Sequence, residues 1–303
     1  MHLKVTAVQC SSADRASEFV TGGAMTTAVE PRFALVDGHR LAYQRSGQGD
    51  VVLLVHGITT YSFIWRRVMP LLVAAGHDVI AVDLLGCGDS DKPLDLSYSL
   101  TAHAGYLRSF LAALGVGKVH FVGHDLGGGI GQIFAVRHPE LLHDLTLINA
   151  VAHDFWPVQP IIAMRTPIIR QFMMAAVDAG ALKLIVKRAL FHKDRATPEL
   201  MEFFMKPLRT SEGRKAFLHF AQCLDNRNLV DIAPDLRRLA LPVLIVRGDG
   251  DVYLGGEIAE RLLAEIPGSR LERIETGGHF VQEDEPELLA RLISSFIGQR
   301  RGT

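Results

Sequence analysis

The chain has 303 residues, and its 32 Lys and Arg against 33 Asp and Glu leave a formal net charge of −1. With 48% hydrophobic residues it can bury one large core or two smaller ones. Balanced charge without a long lysine or arginine run argues against nucleic acid or an anionic membrane as the main partner and leaves a small molecule.

Residues 1–30 are small and polar and read as a loose, flexible N-terminal extension. From Arg32 the pattern becomes regular. RFALV, Asp37-Gly38 and RLAYQR predict a β-hairpin closed by a type I′ turn. The unbroken apolar run VVLLV (Val51 to Val55) is what a parallel strand covered on both faces requires. The same grammar recurs at DVIAVD (Asp78 to Asp83), KVHFVG (Lys118 to Gly123), DLTLIN (Asp144 to Asn149), PVLIVRG (Pro242 to Gly248) and SRLERI (Ser269 to Ile274). Helices are predicted at Tyr61 to Ala75, Thr101 to Leu114, Gly128 to His138, Glu257 to Ile266 and Pro286 to Ile297.

Strands alternating with helices predict an α/β chain, a mostly parallel, doubly wound sheet of eight strands. Residues 153–228 interrupt that alternation with proline-broken helical pieces such as PIIRQFMMAAVDAG, ALKLIVKRALF and PELMEFFMKPL. They read as a helical cap inserted into a core made of residues 31–152 and 229–300. The cap's methionines and phenylalanines are expected mainly as core, with some free to line a substrate cavity. The three cysteines, Cys10, Cys87 and Cys223, are scattered and form no C-x-x-C pair, which fits a reduced, cytoplasmic setting without a metal. No apolar stretch reaches about 18 residues without a charge, so a soluble monomer or homodimer with no membrane span is expected.

The segment VHFVGHDLGGGI (Val119 to Ile130) carries the most chemistry. Its frame, Gly123-His124-Asp125-Leu126-Gly127, has the form of a nucleophile elbow, with small residues two positions either side of the central one. Asp125 stands where serine is usual, and a carboxylate needs no base to become nucleophilic at neutral pH. A helix-capping aspartate is the plainer reading of the same residue. A dinucleotide loop is disfavoured because Gln132 stands where the third glycine belongs. Two further strand ends bear on the choice. Asp249-Gly250-Asp251 follows PVLIVRG, and Gly277-Gly278-His279 follows the last strand, giving the order nucleophile, acid, histidine.

With VLLVHGI (Val52 to Ile58), DLLGCGDSDKP (Asp83 to Pro93), VGHDLGG, RGDGD and GGHFVQEDEPE, the chain from Arg32 to Ile297 resembles the α/β-hydrolase fold superfamily. The aspartate elbow resembles its haloalkane dehalogenase and epoxide hydrolase branch. That resemblance implies Asp125 as nucleophile, His279 as base and Asp251 as the acid, with Asp249 the runner-up. It also implies an oxyanion hole from the backbone N–H groups of Ile58 and Leu126, and no cofactor. A carboxylate attacking a saturated carbon gives an ordinary ester, whereas attack on an ester carbonyl gives an anhydride, so an alkyl halide or epoxide is the expected substrate.

The sequence departs from both patterns at the leaving group. None of the five tyrosines lies in the cap, where epoxide hydrolases carry theirs. Leu126 and Ile58 replace the tryptophan and asparagine that hold a halide in many dehalogenases. Trp156 and His153 are candidate substitutes, His192 and Asp154 weaker ones, and Arg165 or Arg170 could bind an anionic substrate. His56 and His124 are expected to support loops. The alternatives are an ester, lactone or carbon-carbon bond hydrolase, a cofactor-free oxygenase, and a non-catalytic receptor for a small ligand.

Overall fold

A computed structural model describes residues 31–154, 161–162, 165–178 and 180–299. The N-terminal extension and Trp156 therefore lie outside the described residues. All eight expected strands form: β1 (Arg32–Val36), β2 (His39–Ser46), β3 (Val51–Val55), β4 (Asp78–Val82), β5 (Val119–His124), β6 (Leu142–Ile148), β7 (Val243–Gly248) and β8 (Arg270–Ile274). They make one sheet in the order β1-β2-β4-β3-β5-β6-β7-β8. β1 and β2 pair antiparallel, β2 pairs antiparallel with β4, and every later pairing is parallel. Asp37 and Gly38 both take positive φ (49° and 86°), as a type I′ turn demands.

The central strands β3 to β7 are largely apolar on both faces because both faces are covered. Leu53, Val55, Ile80 and Phe121 pack with helices α2 (Leu100–Ala113) and α3 (Leu126–Arg137) on one side. Val52, Leu54, Val79 and Val122 pack with Leu72 and with Leu289, Ile293 and Ile297 of the helix Pro286–Gly298 on the other. The helix expected from Tyr61 is two pieces, a 3-10 turn at Ser62–Trp65 and the α-helix α1 (Met69–Ala74). Pro70, in the first turn of the second piece, has no N–H to bond back to Arg66, so the two pieces do not join. The Ser62 N–H donates to Asp83 Oδ1 at 2.8 Å and ties the first piece to the end of β4.

Between β6 and β7 the chain forms the helices Pro167–Asp178, Ala181–Ala189, Pro198–Met205 and Ser211–Cys223. Thr197 and Thr210 cap the last two through hydroxyls that accept from Leu200 N and Gly213 N. Phe203 and Phe204 anchor this segment to the core by packing on Phe63 with ring centroids 5.3 and 5.1 Å away. The sheet reverses its winding between β3 and β5, and such a switch point opens a crevice at the strands' C-terminal ends. Ile58 follows one of those strands and Asp125 the other.

Candidate active site

Asp125 sits where β5 turns into α3, with φ 52° and ψ −117°. A non-glycine residue held at positive φ stores roughly 1–3 kcal/mol of strain. Truncating a single buried leucine in a covered sheet costs about 2–5 kcal/mol, so the flanking strands can hold the turn in place. The turn also needs two glycines. A Cβ on Gly123 would lie 2.3 Å from the Gly127 carbonyl oxygen, and one on Gly127 would lie 2.3 Å from the Val55 carbonyl oxygen. The elbow is therefore tight against itself and against β3.

The Ile58 N–H donates to Asp125 Oδ2 at 3.0 Å. The Leu126 N–H lies against the same carboxylate, so the two backbone groups expected as an oxyanion hole do converge on Asp125. Burial nonetheless holds the Asp125 pKa above the ordinary carboxylate value, with His279 and these two N–H groups pulling the other way.

His279 faces Asp251, its Nδ1 donating to Asp251 Oδ2 at 2.9 Å. Nε2 is thereby the nitrogen left to accept a proton. Burial lowers the His279 pKa, but the charge and hydrogen bond of Asp251, helped by Asp125, outweigh it and hold the value above 6.5. Burial raises the Asp251 pKa, yet His279 and the N–H groups of Tyr253 and Leu254 bring it below its ordinary value. Asp249 is turned elsewhere, ion-paired to Arg273 at 2.9 Å. Of the two acids, it is Asp251 that meets the histidine.

Three neighbours hold this arrangement and were not singled out by spacing. Asn149 Nδ2 donates to the carbonyls of Gly278 (2.9 Å) and His279 (3.0 Å), while its Oδ1 accepts from Gly248 N at 3.0 Å. One amide thus ties the β6 end to the loops that carry Asp251 and His279. Arg247, buried, donates to the carbonyls of Leu254 and Asp251 and shapes the turn after β7. Asp284 accepts from Gly278 N (2.8 Å), Phe191 N (2.9 Å) and His192 N (2.9 Å), joining the histidine loop to the segment between β6 and β7. Asparagine at a strand end, tolerant of the positive φ that Asn149 adopts (39°), is a weak signal for such a brace.

The two flanking histidines are loop supports. His124 Nε2 donates to the His279 carbonyl at 2.9 Å, and burial drives its pKa down to about 3. His56 accepts from Leu84 N at Nε2 (3.0 Å), and burial takes its pKa to about 4. Both are neutral at pH 7.

The leaving-group candidates are dispersed. His153 faces Glu265 at 3.5 Å, on the helix Gly256–Glu265, and Asp154 faces Arg261 at 3.4 Å. His192 pairs with Glu285 at 3.2 Å. Arg165 donates to the backbone carbonyls of Ala221 and Leu224. The side chain of Arg170 lies outside the described residues. A cavity of about 30 Å³ opens beside Ile58, lined by Cys87, Phe204, Leu208, Phe217 and Phe220 among others, and His153 is not part of its wall. Phe204 and Phe220 are thus both buried core and cavity lining.

Residues 50–286 match the family profile of the alpha/beta hydrolase fold. An uncharacterised protein of Mycobacterium tuberculosis is 32% identical over 289 residues, covering 88% of this chain and 80% of that one. A haloalkane dehalogenase of Bradyrhizobium diazoefficiens is 28% identical, covering 89% and 94%. The crystal structure of an ancestral haloalkane dehalogenase superposes with a TM-score of 0.79 at 27% identity, covering 90% of this chain and 100% of that one. The chain belongs to the alpha/beta hydrolase fold family, a superfamily with dehalogenase-like members.

Proposed function

We propose that this hydrolase uses Asp125 as a nucleophile on a saturated carbon that bears a halide or an epoxide oxygen. The observation that carries the reading is the carboxylate at the elbow, one oxygen held by the Ile58 N–H and the charge balanced by a histidine braced on Asp251. Oδ1 attacks the carbon as the bond to the leaving group breaks, and its electron pair departs as halide or alkoxide. An alkyl ester of Asp125 remains. His279 Nε2 then takes a proton from water, and the hydroxide adds to the ester carbonyl carbon. The negative charge that develops on Oδ2 is stabilised by the N–H groups of Ile58 and Leu126, each worth about 3–4 kcal/mol in such a role. Collapse of this intermediate expels the alkoxide, which takes the proton from His279, and Asp125, left as a carboxylic acid, releases a proton to solvent to regain its carboxylate.

The helical segment between β6 and β7 serves as the cap over this site, its Phe204 and Phe220 lining with Ile58 a small apolar cavity next to the loop whose Ile58 N–H holds Asp125. His153, held against Glu265, is not part of the cavity wall, which leaves Trp156 as the leaving-group candidate from the sequence. The relatives named as haloalkane dehalogenases support the halide version. The test is turnover of a panel of short haloalkanes, haloacids and epoxides. Release of halide or ring opening is expected, and Asp125→Asn is expected to lower it at least about 10³-fold. Undiminished turnover in that variant would remove Asp125 as the nucleophile.

A further inference from the structure

The near-neutral total charge is an average, and one face of the molecule departs from it. Between residues 161 and 189 five basic residues stand against a single acidic one. In the helix Pro167–Asp178, Ile168, Ile169, Phe172, Ala175 and Ala176 are all exposed, an apolar stripe at helical spacing that faces solvent instead of the core. Ile168 and Phe172 are 68% and 73% exposed. The adjoining helix Ala181–Ala189 adds Leu184, 71% exposed, and Ile185. Its other exposed side chains are Lys183, Lys187 and Arg188, and the helix has no acidic residue. No ion pair among the described residues engages these three cations.

An exposed apolar stripe on one helix, followed by a helix that interleaves exposed Leu184 and Ile185 with three cations, suits a surface that is apolar beneath and anionic above. We infer that this face docks on an anionic lipid bilayer, with Ile168, Phe172 and Leu184 entering the acyl boundary and Lys183, Lys187 and Arg188 meeting headgroup phosphates. A second copy of the chain is disfavoured, because an isologous contact through this face would bring two cationic surfaces together. The helix Ala181–Ala189 also adjoins the candidate site. The Tyr253 hydroxyl donates to the Ile185 carbonyl at 3.0 Å, and His279 N donates to the Ala189 carbonyl at 2.7 Å. Docking would therefore set the edge of the candidate site at the bilayer, where apolar molecules collect.

The test is co-sedimentation of the full chain with vesicles of phosphatidylcholine mixed with phosphatidylglycerol, against phosphatidylcholine alone. Binding to the mixed vesicles that weakens with salt is expected. The Lys183→Glu, Lys187→Glu, Arg188→Glu triple variant should lose on the order of 100-fold in partitioning, from three cations near an anionic surface. Phe172→Ser with Leu184→Ser should also weaken binding, with the thermal transition unchanged because both side chains are exposed. Three outcomes would each overturn the inference: no binding of the unaltered chain to mixed vesicles, binding retained by the charge-reversed variant, or self-association through this face that Phe172→Ser abolishes.

Discussion

At the residue scale the candidate site is a balance between burial and charge. Burial alone would neutralise both Asp125 and His279. His279 and the N–H groups of Ile58 and Leu126 favour the charge on Asp125 against the opposing charge of Asp251, while Asp251 and Asp125 favour the charge on His279. In the proposed second step His279 must be neutral, so hydrolysis of the ester should fail as pH falls through its raised pKa. Once Asp125 is esterified its charge is gone, and Asp251 alone holds that pKa up. Asp251→Asn should therefore move the acid limb of single-turnover ester hydrolysis to lower pH and slow the step about 10²–10⁴-fold. An unmoved limb in a rate-against-pH profile would show that another group titrates. The three central residues were legible in the sequence because each sits at a strand end in a glycine-rich turn. Asn149, Arg247 and Asp284 were not, because a side chain that satisfies distant backbone groups leaves no periodic trace. His153 illustrates the converse: its place at the start of the inserted segment suggested a site residue, yet it is buried against Glu265.

At the element scale the β5–α3 turn works only if α3 can approach β3 closely. Gly127→Ala tests this directly, since its Cβ would meet the carbonyl oxygens of Val55 and His56 at 2.3 and 2.7 Å, both backbone atoms. The cost should be about 1–3 kcal/mol or more, read as a lower midpoint in chemical denaturation. An unchanged midpoint would mean that the elbow is looser than its geometry. Strand positions were legible because doubly covered parallel strands read as unbroken apolar runs, as VVLLV does. The helix expected from Tyr61 is split at Pro70, which cannot donate the hydrogen bond that a continuous helix needs there. Within the inserted segment, PIIRQFMMAAVD and PELMEFFM formed helices where their patterns placed them.

At the scale of the whole molecule, one buried carboxylate ties the inserted helices to the loop that carries the histidine. Asp284 accepts three backbone N–H groups, two from the exit of the helix Ala181–Ala189 and one from the histidine loop. Asp284→Ala would leave those donors unpaired at about 1–3 kcal/mol each. It should lower stability and, by loosening the loop that carries His279, slow ester hydrolysis more than ester formation. Equal slowing of both steps in a burst experiment would argue that Asp284 serves stability alone. Total charge and composition, read over the full chain, average the surface and carry no sign of the three cations, Lys183, Lys187 and Arg188, gathered on one helix.

The central claim is that Asp125 forms a covalent ester which His279 then hydrolyses. Its most direct test is intact-protein mass spectrometry with peptide mapping of the His279→Gln variant, incubated with short haloalkanes, haloacids and epoxides. The account predicts an adduct on the peptide that carries Asp125, its mass equal to the alkyl group for a halide or to the whole molecule for an epoxide. A substrate turned over by the unaltered chain that leaves no adduct on Asp125 in this variant would contradict it.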